Sequence, residues 1–131
     1  MLHIDIYSFG YHRSGMPSDP GGHGGGFVFD CRVLPNPGRQ AHLARLTGLD
    51  GEVKDLLQGV EEVGEFLSHV LALVETTAKT YQMRGFTYLQ VSFGCTGGQH
   101  RSVYSAEHIA GLLRQLGFHV TVTHTERASW Q

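Results

Sequence analysis

The chain has 131 residues, 40% of them hydrophobic and 17% charged, and a formal net charge of −2. Those values suit one soluble globular domain with a disulfide-free core, and with no block of like charges they give no electrostatic argument for a nucleic-acid or membrane partner. No apolar run approaches a membrane span and no secretory leader opens the sequence, so a cytoplasmic protein with Cys31 and Cys95 reduced is expected.

The elements read in chain order as an α/β domain over residues 1–131. Leu2 to Phe9 alternates as a strand, with Leu2, Ile4 and Ile6 against His3, Asp5 and Tyr7. Residues 10–26 form a glycine-rich loop longer than an ordinary connection, and such loops are usually functional or mobile. Phe27 to Leu34 predicts a second strand, stopped by Pro35-Asn36-Pro37-Gly38. Asp50 stands as an N-cap for a short helix ending near Gln58. A long amphipathic helix follows, with Val60, Val63, Phe66, Leu67, Val70, Leu71 and Val74 on one face and Gly85 at its end. A third strand covers 87–93, a helix runs from Val103 to a cap at Gly117, and a last strand spans 118–124 before a polar tail. Helices between strands imply right-handed crossovers and a mostly parallel sheet, whose ligands bind beyond the carboxyl ends of the strands.

The densest chemistry lies between the third strand and its helix, in Gly94-Cys95-Thr96-Gly97-Gly98-Gln99-His100-Arg101-Ser102. Glycines let a loop turn its N–H groups inward, and a helix N-terminus adds unpaired N–H groups and a positive dipole end. Together these make a socket for an anion, most often a phosphate. The amides of Thr96, Gly97, Gly98, Gln99, His100 and Arg101 would hold it. Arg101 would supply the counter-charge, Thr96 and Ser102 hydroxyls, and a charged His100 a further donor. The plainer alternative is a tight turn with Arg101 in a surface ion pair.

Cys95 and Arg101 also have the C-x5-R spacing of cysteine-dependent phosphatases, in which a thiolate attacks phosphorus while amides and arginine hold the oxygens. Gly94 stands where a histidine usually precedes that cysteine, and Asp19 and Asp30 are only positional candidates for a general acid. A small buried residue ending a strand is the simpler account of Cys95. The nine histidines show no ligand spacing, so neither a metal nor another cofactor is expected.

Four blocks carry a resemblance: Ser8-Phe9-Gly10, Phe27 to Pro37, Leu46-Thr47-Gly48-Leu49-Asp50, and Gly94 to Ser102. In that order they resemble the C-terminal domain of the RapZ (YvcJ) family over nearly the whole chain. The resemblance implies an α/β domain that binds glucosamine-6-phosphate, self-associates and, in enterobacteria, binds small regulatory RNAs. Its metabolite-binding loop positions match Thr96, Gly97 and Arg101. It also implies that the phosphatase spacing is not used as such.

Three departures qualify it. The P-loop signature of full-length members is missing, so nucleotide hydrolysis is not expected. Gly38 replaces the histidine that follows Pro-Asn-Pro in RNA-binding members. Gln99 and the tail from Thr125 to Gln131 replace the lysines and arginines used for RNA. The expected function is therefore a binding module for a phosphorylated (amino)sugar or related anionic metabolite, with a sensing or regulatory role. Asn36, Asp30 and Arg32 would contact sugar hydroxyls or order the pocket, although an Asp30–Arg32 ion pair accounts for the last two equally well. A Cys95-dependent enzyme and an RNA-binding module are the alternatives.

Overall fold

In the computed structural model, which describes all 131 residues, four strands form one parallel sheet in the order β2-β3-β1-β4. They are β1 (His3–Gly10), β2 (Gly26–Asp30), β3 (Tyr88–Cys95) and β4 (His119–His124). Three helices flank them: α1 (Gly51–Gln58), α2 (Glu61–Met83) and α3 (Arg101–Gln115). None of these helices is long and apolar enough to cross a membrane.

Strand parity divides the sheet. Leu2, Ile4 and Ile6 join Leu89, Val91 and Phe93 in a single buried cluster with Val53 and Leu57 of α1, Val63, Leu67, Val70 and Val74 of α2, and Ile109 and Leu113 of α3. Burying side chains of this size contributes roughly 1.5–3 kcal/mol each, which fixes the register of both central strands. The opposite parity is polar. There the Asp5 carboxylate accepts hydrogen bonds from Tyr7, Tyr88 and Thr121, each at 3.0 Å.

Because every strand runs the same way, the ends of β1, β2, β3 and β4 meet at one edge. Tyr11 N–H donates to the Cys95 carbonyl and Thr125 N–H to the Ser8 carbonyl, tying the segments after β1, β3 and β4 together.

The structure differs from the sequence reading at the end of β2, in the use of the Asp50 side chain, at the end of β3 and at the start of α3. The second strand stops at Asp30, four residues early. There the Asp30 carboxylate accepts from Arg32 N–H and starts a 3₁₀ turn over Cys31–Val33. Asp30 therefore ends the strand and Arg32 lies in the turn beyond it. Asp50 is the N-cap residue of α1, as expected, but its side chain makes no capping bond; its carboxylate accepts from Thr47 N–H at 2.7 Å instead. β3 runs two residues further than expected, through Gly94 and Cys95. α3 begins two residues earlier than expected, at Arg101.

Candidate functional site

The loop between β3 and α3 sorts its backbone groups by direction. The carbonyls of Thr96, Gln99 and His100 accept from the amides of His12, Gly48 and Tyr104, and the Gly98 carbonyl accepts from the Trp130 indole at 2.9 Å. None of the N–H groups from Thr96 to His100 donates to a backbone acceptor, and α3 adds the free amides of its own first turn. The loop thus keeps its amides unbonded while four of its five carbonyls are engaged.

Gly98 makes this turn possible. Its φ is +71°, and a Cβ there would lie 2.6 Å from the Glu126 side chain and 2.7 Å from the Gly10 nitrogen. A side chain at this position would force the loop off β1.

Arg101 is only 7% exposed, yet no carboxylate lies within ion-pair distance of its guanidinium. One terminal nitrogen donates to the carbonyls of Arg32 and Leu34, both at 3.1 Å. The other reaches Thr96 Oγ1 at 3.5 Å, and Nε has no partner. A buried charge held only by dipoles is costly unless an anion joins it. The turn after β2 supplies those carbonyls, and this is how the Phe27–Pro37 block serves the loop.

A cavity of about 260 Å³ opens over these groups. Cys95, Thr96, Gly97, Gln99, His100, Arg101 and Asn36 line it, and so do Arg13, Gly38 and the terminal Gln131. A larger cavity of about 430 Å³ lies beside the N-terminal end of β3, but no lysine or arginine lines it. Only the first has the cations and free amides that an anion needs.

Several expected residues take other roles. Ser102 is wholly buried off the cavity wall, and its Oγ accepts from Cys95 Sγ at 3.1 Å. Gly98 backs onto Glu126 rather than facing the cavity. The buried Gln99 amide donates to the carbonyls of Ala44 and Leu46, bracing the loop against the segment before α1. Asp30 and Arg32 form an exposed ion pair at 2.7 Å outside the cavity, with Arg32 stacked 4.0 Å from the Tyr11 ring centroid. The pair holds the Asp30 carboxyl below its ordinary range.

His100 differs most from expectation. Burial lowers its pKa, and its Nε2 donates to the Leu43 carbonyl at 3.0 Å. The ring is therefore neutral near pH 7 and presents Nδ1 as an acceptor beside Gly38. It suits a ligand hydroxyl or amine rather than a phosphate oxygen.

Asn36 lines the cavity with its Oδ1 engaged by Gly38 N–H at 3.0 Å. Cys31 packs in the core, where burial pushes its thiol up to about 12 and leaves it inert.

Sequence reasoning missed the tail. Glu126 is 3% exposed, and its carboxylate accepts from Gly10 N–H, Ser14 N–H and the Ser14 hydroxyl at 3.0, 3.0 and 2.8 Å. No periodicity marks a single carboxylate that folds back on two loops. The buried Ser8–His124–Glu107 chain, with both contacts at 2.6 Å, joins β1, β4 and α3 away from the cavity.

The chain is thus a small parallel α/β domain with a loop of unbonded amides and a helix N-terminus at the carboxyl edge of its sheet, the edge at which such sheets take ligands. The particular family follows from comparison: residues 2–128 match the family model described as RapZ C-terminal domain, and the chain belongs to that family. A nucleotide-binding protein of Thermotoga neapolitana is 39% identical over 125 residues, covering 95% of this chain and 42% of that protein. Nucleotide-binding proteins of Alkalilimnicola ehrlichii and Methylococcus capsulatus are 41% and 40% identical, and 41% of each is covered. The chain thus spans about two fifths of the length of these relatives.

Proposed function

We propose that this domain binds a small phosphorylated metabolite, of which a phosphorylated amino sugar is the best-fitting class. The reading rests on one observation: a buried Arg101 guanidinium without a carboxylate partner, beside a loop whose Thr96 to His100 amides are unbonded and whose Thr96, Gly98, Gln99 and His100 carbonyls are engaged. A phosphate there would gain charge-assisted bonds and relieve the unpaired charge. The neutral polar groups on the same wall, Asn36 and His100 Nδ1, are of the kind that hold sugar hydroxyls and an amine. The cavity lies below the roughly 300–1,000 Å³ typical of drug-sized ligands, which favours a sugar phosphate over a whole nucleotide.

The relatives are named for nucleotide binding, but three fifths of each lies outside the match, and this chain carries no G-x-x-x-x-G-K-[ST]. A sensing role, with self-association, is what the resemblance to the RapZ family adds to this reading. A thermal-shift panel of hexose phosphates, hexosamine phosphates, nucleotides and nucleotide sugars tests the reading. Selective stabilisation by a hexosamine phosphate supports it, and stabilisation by nucleotides alone refutes it.

A second reading rests on Cys95, whose side chain lies on the cavity wall in the C-x5-R frame. Its Sγ donates to Ser102 Oγ at 3.1 Å, and the cavity wall carries no aspartate or glutamate to act as general acid. Binding without turnover is therefore favoured.

A further inference from the structure

We propose that Arg13 is the second cation of this anion site, and that Glu126 is a positioning residue acting through it. The inference rests on the metabolite reading above and goes beyond it, by assigning the glycine-rich loop and the C-terminal tail to the site.

Three observations carry it. Arg13 lines the same cavity as Arg101, and its Nε would stand 3.9 Å from a Cβ at Gly97. Its guanidinium makes no hydrogen bond or ion pair within the protein; only its backbone N–H is engaged, with the Gly10 carbonyl at 3.0 Å. The backbone that carries it is held on both sides by one carboxylate. Glu126 takes Gly10 N–H before Arg13, then Ser14 N–H and its hydroxyl after it.

The use of Glu126 explains why the cation stays free. Arg13 is exposed, and no carboxylate lies within ion-pair distance of its guanidinium. Here the Glu126 oxygens are spent on three donors of the turn, and its Cγ packs against Gly98. The same side chain therefore fixes the Gly10–Gly15 turn, supports the phosphate loop from behind, and leaves Arg13 available. Trp130, bonded to the Gly98 carbonyl, and Gln131, whose N–H donates to Gln99 Oε1 at 3.2 Å, hold the tail in place. Two guanidiniums and a helix N-terminus around one small cavity match a dianionic phosphate monoester better than a singly charged diester.

Inorganic phosphate is the probe, titrated by calorimetry against the full chain and its variants at two salt concentrations. Arg13→Ala should weaken binding about tenfold and flatten the salt dependence, while Arg13→Lys stays within about threefold of wild type. Glu126→Gln should weaken binding by a similar factor. The double variant Arg13→Ala/Glu126→Gln should bind no more weakly than Glu126→Gln alone. If Glu126→Gln does not fold, Ser14→Ala takes its place: a loss seen in wild type and absent from the Arg13→Ala background supports the proposal. Arg13→Ala within twofold of wild type, or losses that multiply in the double variant, would overturn it. If Arg101→Ala abolishes phosphate binding while Arg13→Ala does not alter it, this inference falls and the metabolite reading stands. If the wild-type chain binds no phosphate, both fall.

Discussion

Replacing Arg101 by methionine separates a ligand-binding arginine from a structural one. The guanidinium donates to the carbonyls of Arg32 and Leu34, and bonds to a charged group contribute about 1.5–3 kcal/mol each. Against that stands a charge 93% removed from solvent, with an unpartnered Nε and no carboxylate, whose effective desolvation costs several kcal/mol. The two nearly cancel, so Arg101→Met should shift the stability of the unliganded domain by less than about 2 kcal/mol in either direction.

Binding should respond differently. Losing one charge-assisted bond to a phosphate, about 1.5–3 kcal/mol, weakens affinity ten- to a hundredfold or more. At a ligand concentration of 100 Kd, wild type gains about 2.7 kcal/mol, and the variant at the same concentration keeps about 0.4–1.4 kcal/mol. With an unfolding entropy near 2.1 cal/mol/K per residue over 131 residues, the ligand-induced rise in Tm falls from about 10 °C to about 1–5 °C. Differential scanning calorimetry with and without the hexosamine phosphate reads both quantities. A variant destabilised by more than about 3 kcal/mol that keeps the full ligand-induced shift would refute the reasoning, because Arg101 would then be a structural clamp.

Cys95→Ser should keep phosphate affinity within a few-fold of wild type, because the Sγ is bonded to Ser102 rather than committed to a ligand; loss of a measurable aryl-phosphate hydrolysis would establish the enzyme reading instead. Burial lowers the pKa of His100 from its ordinary value of 6.5, so the unfolded chain binds the extra proton first. The stability this residue contributes is complete above about pH 6.5 and declines as pH falls below it. Urea midpoints of wild type and His100→Gln should therefore converge between pH 7 and pH 5, and parallel curves would contradict this. Binding to a structured regulatory RNA should be weak and steeply salt-dependent, since Lys and Arg number 10 against 12 acidic residues; sub-micromolar binding at physiological salt, resistant to bulk tRNA, would reverse that expectation.

What the sequence shows of this protein follows the range of the interactions that set it. The alternation of Leu2, Ile4 and Ile6 and the spacing of Val63, Leu67, Val70 and Val74 are local periodicities imposed by one buried face, so the parallel α/β class could be read directly. The β3–α3 loop was legible for the same reason, since its glycines, hydroxyls and arginine lie within a few consecutive positions. Boundaries failed where a single side chain outweighed propensity. Phe27 to Leu34 is β-branched and aromatic enough to read as one strand, yet the Asp30 carboxylate ends it by bonding Arg32 N–H.

Residue roles failed where the partner is distant in the chain. Nothing near His100 says that the carbonyl of Leu43, 57 residues away, will accept a hydrogen bond from its Nε2 and leave Nδ1 as the acceptor. Glu126 sits in a tail without periodicity, 116 residues from Gly10, and its bonds exist only once β1 and β4 lie side by side. The β1–β4 pairing is also what brings the glycine-rich loop and the tail to the same edge as the β3–α3 loop. The motif alone supplies free amides and one arginine. The sheet order adds Arg13 to the same cavity, together with the carboxylate that holds its turn; under the proposed function, that second cation is what would favour a dianionic ligand.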